Sequence, residues 1–145
     1  MKLYYAPMEG ITTYTYRNAH AEMFGMFDKY YTPFIVPTEN ERITLRTLRD
    51  ITPDRNTAEI VPQVLCNCDK AFDNFAKKVC ALGYDELNLN LGCPASTVVG
   101  KQRGSGALKD VEWLDGFLEK VFQNPAMNIC YCIVLILFIN PLFKR

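Results

Sequence analysis

Four short β-prone runs begin near residues 3, 29, 59 and 86, and this recurrence of about 28 residues constrains the chain more than any other feature. The runs are LYYAPM (3–8), KYYTPFIV (29–36), EIVPQVLC (59–66) and ELNLNLGC (86–93). Helical periodicity follows three of them. Tyr16, Ala19, His20, Met23 and Phe24 share one stripe closed by Gly25. Phe72, Phe75, Ala76, Val79 and Cys80 share a second closed by Gly83, and Val111, Leu114, Leu118, Val121 and Phe122 mark a third. Strands alternating with amphipathic helices make βαβ units and a parallel sheet. Eight such units close a (β/α)8 barrel in roughly 225–250 residues, and this length has room for about five. The expected fold is therefore α/β, a partial TIM (β/α)8 barrel of about four βα units over residues 1–122, its N-terminal half, followed by an apolar tail. Pro33 predicts a bend within the second strand.

Residues 123–145 change style. Eleven unbroken apolar residues, Ile129 to Ile139, lead into Asn140-Pro141 and a short basic end. Eleven falls well short of the roughly 20 residues of a membrane helix, so no membrane span is expected. The segment reads as an atypical tail produced by truncation or a frame change, with a native fifth strand as the alternative.

The fourth strand carries the most information. Period-two alternation places Leu87, Leu89 and Leu91 on one face and Asn88 and Asn90 on the other. In a barrel the leucines pack beneath the helices and the asparagines point inward, where buried amides need partners. The alternative is an open sheet with one solvated face.

Charge gives little direction. Sixteen basic and sixteen acidic residues balance, so only a local patch could favour a nucleic acid. The N-terminus lacks the pattern of a signal peptide, and the six cysteines read as reduced thiols of the cytoplasm. Cys66/Cys68 and Cys130/Cys132 are C-x-C pairs, narrower than the usual zinc spacing, so no metal is expected.

Cys93 is the sharpest chemical candidate. It follows a strand at the mouth of the expected barrel, on a βα loop of about seventeen residues, and loops that long are usually functional. A thiol titrates near 8.5, so it is an acid at neutral pH, or a nucleophile if Lys101 or Arg103 lowers that value. A small buried hydrophobe is the competing reading. The loop GKQRGSG combines glycines with two cations, which suits a phosphate backbone, although a solvated loop carries the same residues. Gln63 is a lone amide in an apolar strand, matched either by a ligand or by an edge position beside Pro62. His20 reads as a core histidine. The arginines at 42, 46, 49 and 55 read as a solvated face.

Two stretches, YYAPMEGIT and LNLNLGCPASTVVGKQRGS, together resemble the signatures of the tRNA-dihydrouridine synthases. The resemblance runs from about residue 3 to residue 122. It implies an FMN-binding TIM-barrel domain that reduces tRNA uridine to 5,6-dihydrouridine, with NADPH reloading the flavin. It further implies that Cys93 gives a proton to C5 of the uracil. Pro7, Met8 and Glu9 match the first flavin-contacting turn, Gln63 the glutamine that bonds the ring, and Asn90 an asparagine beside flavin and substrate. Lys101 and Arg103 match the loop that faces the RNA. The family's later lysine and histidine, its phosphate-binding glycine turns and its C-terminal tRNA-binding domain match nothing here, which implies weakened tRNA binding. Two alternatives remain open: another FMN barrel acting on a small molecule, and an inactive half barrel that self-associates through its open sheet edges.

Overall fold

The computed structural model describes residues 1–25, 27–37, 45–124 and 127–132. Arg42, the side chains of Arg46, Cys130 and Cys132, and the tail from residue 133 onward lie outside the described residues.

Six short strands, all paired in parallel, follow sequence order: β1 (Tyr4–Tyr5), β2 (Lys29–Tyr31), β3 (Ile60–Val61), β4 (Gln63–Val64), β5 (Glu86–Asn90) and β6 (Asn128–Cys132). They form two three-stranded segments, β1-β2-β3 and β4-β5-β6. Pro62 lies between β3 and β4 and has no N–H to give, but its carbonyl still accepts the amide of Asn88 at 2.9 Å. The chain of β2 leaves the ladder at Thr32, bends through Pro33, and returns where Ile35 bridges Val64. The described strands do not close into a barrel.

Helices α1 (Tyr14–Phe24), α2 (Leu45–Ile51), α3 (Asp69–Ala81), α4 (Ser96–Val99) and α5 (Val111–Phe122) occupy the connections. The core lies between β5 and the helices after it. Leu87, Leu89 and Leu91 are buried against Phe72, Phe75, Val79, Phe117 and Val121. On the opposite face Asn88 and Asn90 are also buried, at 0% and 7% exposure, so no solvated sheet face exists at these positions. Asp110 starts α5 by accepting the amide of Trp113. Among the described residues no helix is long and apolar enough to cross a membrane.

Residues 128–132, at the start of the apolar segment, form β6 and pair with β5 along its full length, from Glu86↔Asn128 to Asn90↔Cys132, the arrangement that the fifth-strand alternative expects. An apolar run rich in strand-forming residues takes up the edge of β5. The apolar stripe of α1 is not buried: Tyr16, Ala19, Met23 and Phe24 are exposed, and the fully buried residue is Arg17. This stripe lies beside β1, which has no second neighbour among the described strands. His20 is partly buried, within 2.9 Å of the Tyr30 hydroxyl. On α5 the expected Leu114, Leu118 and Val121 do pack on the core, but Val111 and Phe122 are exposed and Trp113 and Phe117 pack in their place, so the buried face is turned by roughly 60° from the expected one. Cys80 of α3 is likewise exposed.

Tyr84, after α3, donates its hydroxyl to the carbonyl of Ile51 at 2.8 Å and so fastens α2 to the β5 unit. Burial pushes its phenol up to about 12, against a slight pull downward from Arg17. The folded chain therefore keeps a proton that the unfolded chain releases near pH 10. This stabilisation is complete below pH 10 and is lost as pH rises through 12, an effect of roughly 1–2 kcal/mol for a phenol that solvent still reaches. Tyr5, pushed up to about 12 by its hydrogen bond to Tyr16, acts in the same window. Urea midpoints at pH 9 and pH 11 are expected to differ, and Tyr84→Phe should remove part of that difference. An unchanged difference would show that the Tyr84 phenol is not held in the fold.

Candidate active site at the carboxyl end of the strands

The carboxyl ends of β1, β4 and β5 place side chains from distant parts of the sequence around one cleft of about 290 Å³. This lies at the lower end of the range for ligand pockets, roughly 300–1,000 Å³. Pro7, Met8 and Glu9 border it from the turn after β1, Gln63 from β4, and Asn90 and Cys93 from β5 and the turn beyond. All six were singled out from the sequence. Four lining residues had no site role in the sequence reading: Pro33, expected only to bend its strand, Phe34, Gly92 and Pro94. Pro33 and Phe34 follow β2 as Pro7 and Met8 follow β1, and that shared position after a strand was the available signal. A second cleft, of about 270 Å³, lies at the amino ends of the strands. It is lined by Glu59, Asp85 and Glu86, and two of these carboxylates pair with Lys29.

The first turn is built on Thr12. Its hydroxyl lies 2.8 Å from the Met8 amide and 3.1 Å from the Met8 carbonyl, and that carbonyl also accepts the amides of Ile11 and Thr12. Gly10 makes the turn at φ 76°, where a Cβ would be strained. Met8 is thus left 59% exposed with its apolar side chain on the cleft.

The buried amides form a chain. Gln63 donates Nε2–H to Asn88 Oδ1 at 2.7 Å, and its Oε1 accepts from Asn90 Nδ2 at 2.8 Å. Asn90 Oδ1 then accepts the backbone amides of Gly92 at 3.1 Å and Cys93 at 2.9 Å. A primary amide has two donor hydrogens and two acceptor lone pairs. These bonds leave Gln63 with one donor and one acceptor, and Asn90 with one donor, to offer a ligand.

Cys93 is held from its other end as well. Its carbonyl accepts both the amide and the hydroxyl of Ser105, at 3.0 and 3.1 Å. The intervening loop contains α4 and a 3-10 turn, Gly104–Lys109. Gly104 sits at φ 55°, and a Cβ there would lie 2.6 Å from the Cys93 carbonyl oxygen. A Cβ on Gly106 would lie 2.7 Å from the carbonyl oxygen of Val99. Gly104 and Gly106 thus let the loop fold back closely onto its own chain.

Lys101 and Arg103 do not line the cleft. Asn67, after β4, ties them together by donating to the Lys101 carbonyl at 2.9 Å and accepting from Arg103 Nε at 3.0 Å. Lys101 is exposed and Arg103 partly so. Cys66 is buried and donates its thiol to the Cys68 carbonyl; burial pushes the thiol up, with Arg103 a small opposing influence. Among the described residues no cluster of three or more His, Cys, Asp or Glu could hold a metal ion.

The cleft joins apolar side chains to the oriented amides of Gln63 and Asn90, with Cys93 on its border. It can therefore take a flat, partly polar ring system and present an acid to whatever lies against it. A protein-family model described as dihydrouridine synthase matches residues 4–128. No curated protein matches the chain.

Proposed function

The chain belongs to the dihydrouridine synthase family, and from that premise we propose that it reduces a tRNA uridine to 5,6-dihydrouridine with FMN held in the cleft at the carboxyl ends of β1, β4 and β5. Dihydrouridine synthases are oxidoreductases that act on tRNA. In this reading the described strands are part of a (β/α)8 barrel, and NADPH is the reductant.

The residues present suit a flavin. Gln63 is 1% exposed yet retains a donor and an acceptor, which matches a ring edge carrying both. Met8, Pro33, Phe34 and Pro94 give the apolar walls that a fused ring system needs. Pro7, Met8, Glu9, Gln63 and Asn90 are the residues assigned to the cofactor. Bound FMN would supply hydride chemistry.

Cys93 delivers the proton. Saturating the uracil 5,6-bond requires a hydride at C6 and a proton at C5, and a thiol on the rim of the cleft is a suitable acid. The turn anchored by Asn90 and Ser105 holds its backbone in place, so little reorganisation accompanies the transfer. Lys101 and Arg103 lie on the same loop and offer positive charge to the RNA backbone. A stacked uridine must leave the helix to reach such a cleft.

The observation that carries this reading is that Cys93, Gln63, Asn90 and the Pro7–Glu9 turn, from three separate strand ends, border one cleft. The test is the visible absorption spectrum of the purified chain, with its size read in the same chromatography run. Flavin absorption at about one FMN per chain is expected, followed by dihydrouridine formation on tRNA with NADPH. A folded chain that takes up no added FMN would overturn the proposal. Bound flavin with turnover of a free pyrimidine but not of tRNA would favour the small-molecule reading. Among the described strands β1 has no second neighbour, and this edge with the exposed apolar face of α1 supports association of copies, which the same run reports as size.

A further inference from the structure

Asn88 lies two residues before Asn90 on the same face of β5, fully buried, and it does not border the cleft. No chemistry reaches it directly, yet the orientation of the amides depends on it. The turn after β5 presents two N–H donors, those of Gly92 and Cys93, and Asn90 meets both with its oxygen. The Asn90 nitrogen therefore points the other way and needs an acceptor, which is Gln63 Oε1. That in turn directs the Gln63 nitrogen deeper into the sheet, where Asn88 Oδ1 receives it at 2.7 Å. Turning Gln63 over would set its N–H groups against those of Asn90 and its oxygen against that of Asn88. Each amide has one donor end and one acceptor end, so fixing one fixes the next.

Building on the flavin and uridine reading of the cleft, we propose that Asn88 is a positioning residue: as the last acceptor of the relay it locks the polarity that the turn imposes on the Asn90 and Gln63 amides, and so holds the Gly92–Cys93 turn that carries the thiol. The relay has two consequences. Gln63 shows its oxygen on the Asn90 side of the cleft and its nitrogen on the Asn88 side, which defines the hydrogen-bonding face offered to a bound ring. The amide end of Cys93 depends on β5, whereas its carbonyl end depends on Ser105, so loss of Asn88 loosens one end alone.

The test uses the full chain and reads the turn directly. Amide hydrogen exchange of Gly92 and Cys93 is followed by NMR, and alkylation of Cys93 by iodoacetamide is followed by peptide mapping. In Asn88→Ala both amides are expected to exchange about five- to tenfold faster, with a changed alkylation rate at Cys93, while amides of Phe75 and Val79 in α3 keep the parent rate. Asn88→Asp retains an acceptor oxygen of the same size and is expected to restore the parent values, which a purely space-filling or stabilising role would not require. Unchanged exchange in Asn88→Ala would overturn the proposal, as would an Asn88→Asp chain that folds without recovering protection. Should the alanine chain fail to fold, the parent decides. Its Gln63 side-chain amide protons should show nuclear Overhauser contacts to Asn88 rather than Asn90, and the reverse pattern sinks the relay. An FMN titration of the same samples separates the two readings. A parent chain that protects both amides but takes up no flavin overturns the cofactor reading and supports the relay. One that binds flavin while both amides exchange freely does the opposite.

Discussion

Replacing Cys93 by alanine is expected to leave flavin binding unchanged and to slow uridine reduction by roughly 10²–10⁴-fold, the usual contribution of a positioned acid. The direction follows from what the side chain does and does not touch. The backbone of Cys93 makes hydrogen bonds to Asn90 and Ser105, and the alanine variant keeps all of them. The turn should therefore survive, and only the acid is removed. Cys93→Ser sharpens the comparison, because it restores a hydroxyl of similar shape that is a far weaker acid than a thiol. Serine should then be nearly as slow as alanine. The measurement is the oxidation of pre-reduced flavin on mixing with tRNA, alongside an FMN titration of each variant. A parent-like rate in Cys93→Ala would end the proton-donor role. A tenfold or greater loss of flavin affinity would instead mark the thiol as part of the cleft wall.

Much of this arrangement is legible from residues alone, and the illegible parts have physical causes. The alternation in ELNLNLGC places the leucines among Phe72, Phe75 and Val79 and the asparagines on the opposite face, because a strand buried on both sides permits only one register. The helical pattern of α3 works because both its neighbours, β5 and α5, are present to bury it. The pattern of α1 misleads for the converse reason: a stripe is buried only if something covers it, and β1 is an edge strand among the described residues. Glycine is ambiguous in the same way. Gly104 and Gly106 signal close approach, but composition cannot say whether a ligand or the chain's own Cys93 and Val99 come close. Phe34 is not legible because it lies where the chain has left the β2 ladder, beyond Pro33 and before Ile35 bridges Val64, and no periodicity points to it. Arg17 is not legible because one cation in a helix ordinarily lies in solvent.

Arg17→Ala is expected to destabilise the fold by roughly 3–5 kcal/mol, a large part of the 5–15 kcal/mol that holds an ordinary domain together. Arg17 is the one fully buried charged side chain among the described residues. Its guanidinium donates to the carbonyl of Thr12 at 2.7 Å, the carbonyl of Asp50 at 2.6 Å and Asn56 Oδ1 at 2.8 Å. It thereby joins the turn after β1, the end of α2 and the segment leading to β3. The Asp50 carboxylate, 3.9 Å away, supplies the opposing charge and also accepts the first amide of α1 from Tyr14. Burial lowers the affinity of Arg17 for its proton, but an arginine stays charged through such a shift. The cost side is real, since Nε has no partner and the charge is desolvated. The substitution series decides which side wins. Arg17→Met fills similar volume and removes the buried charge, but strands three acceptors; Arg17→Lys keeps the charge and loses the planar fork that reaches all three. If the hydrogen-bond network dominates, urea midpoints should fall in the order parent, lysine, then methionine and alanine. A methionine variant more stable than the parent would mean that desolvation dominates and that the three acceptors find other partners.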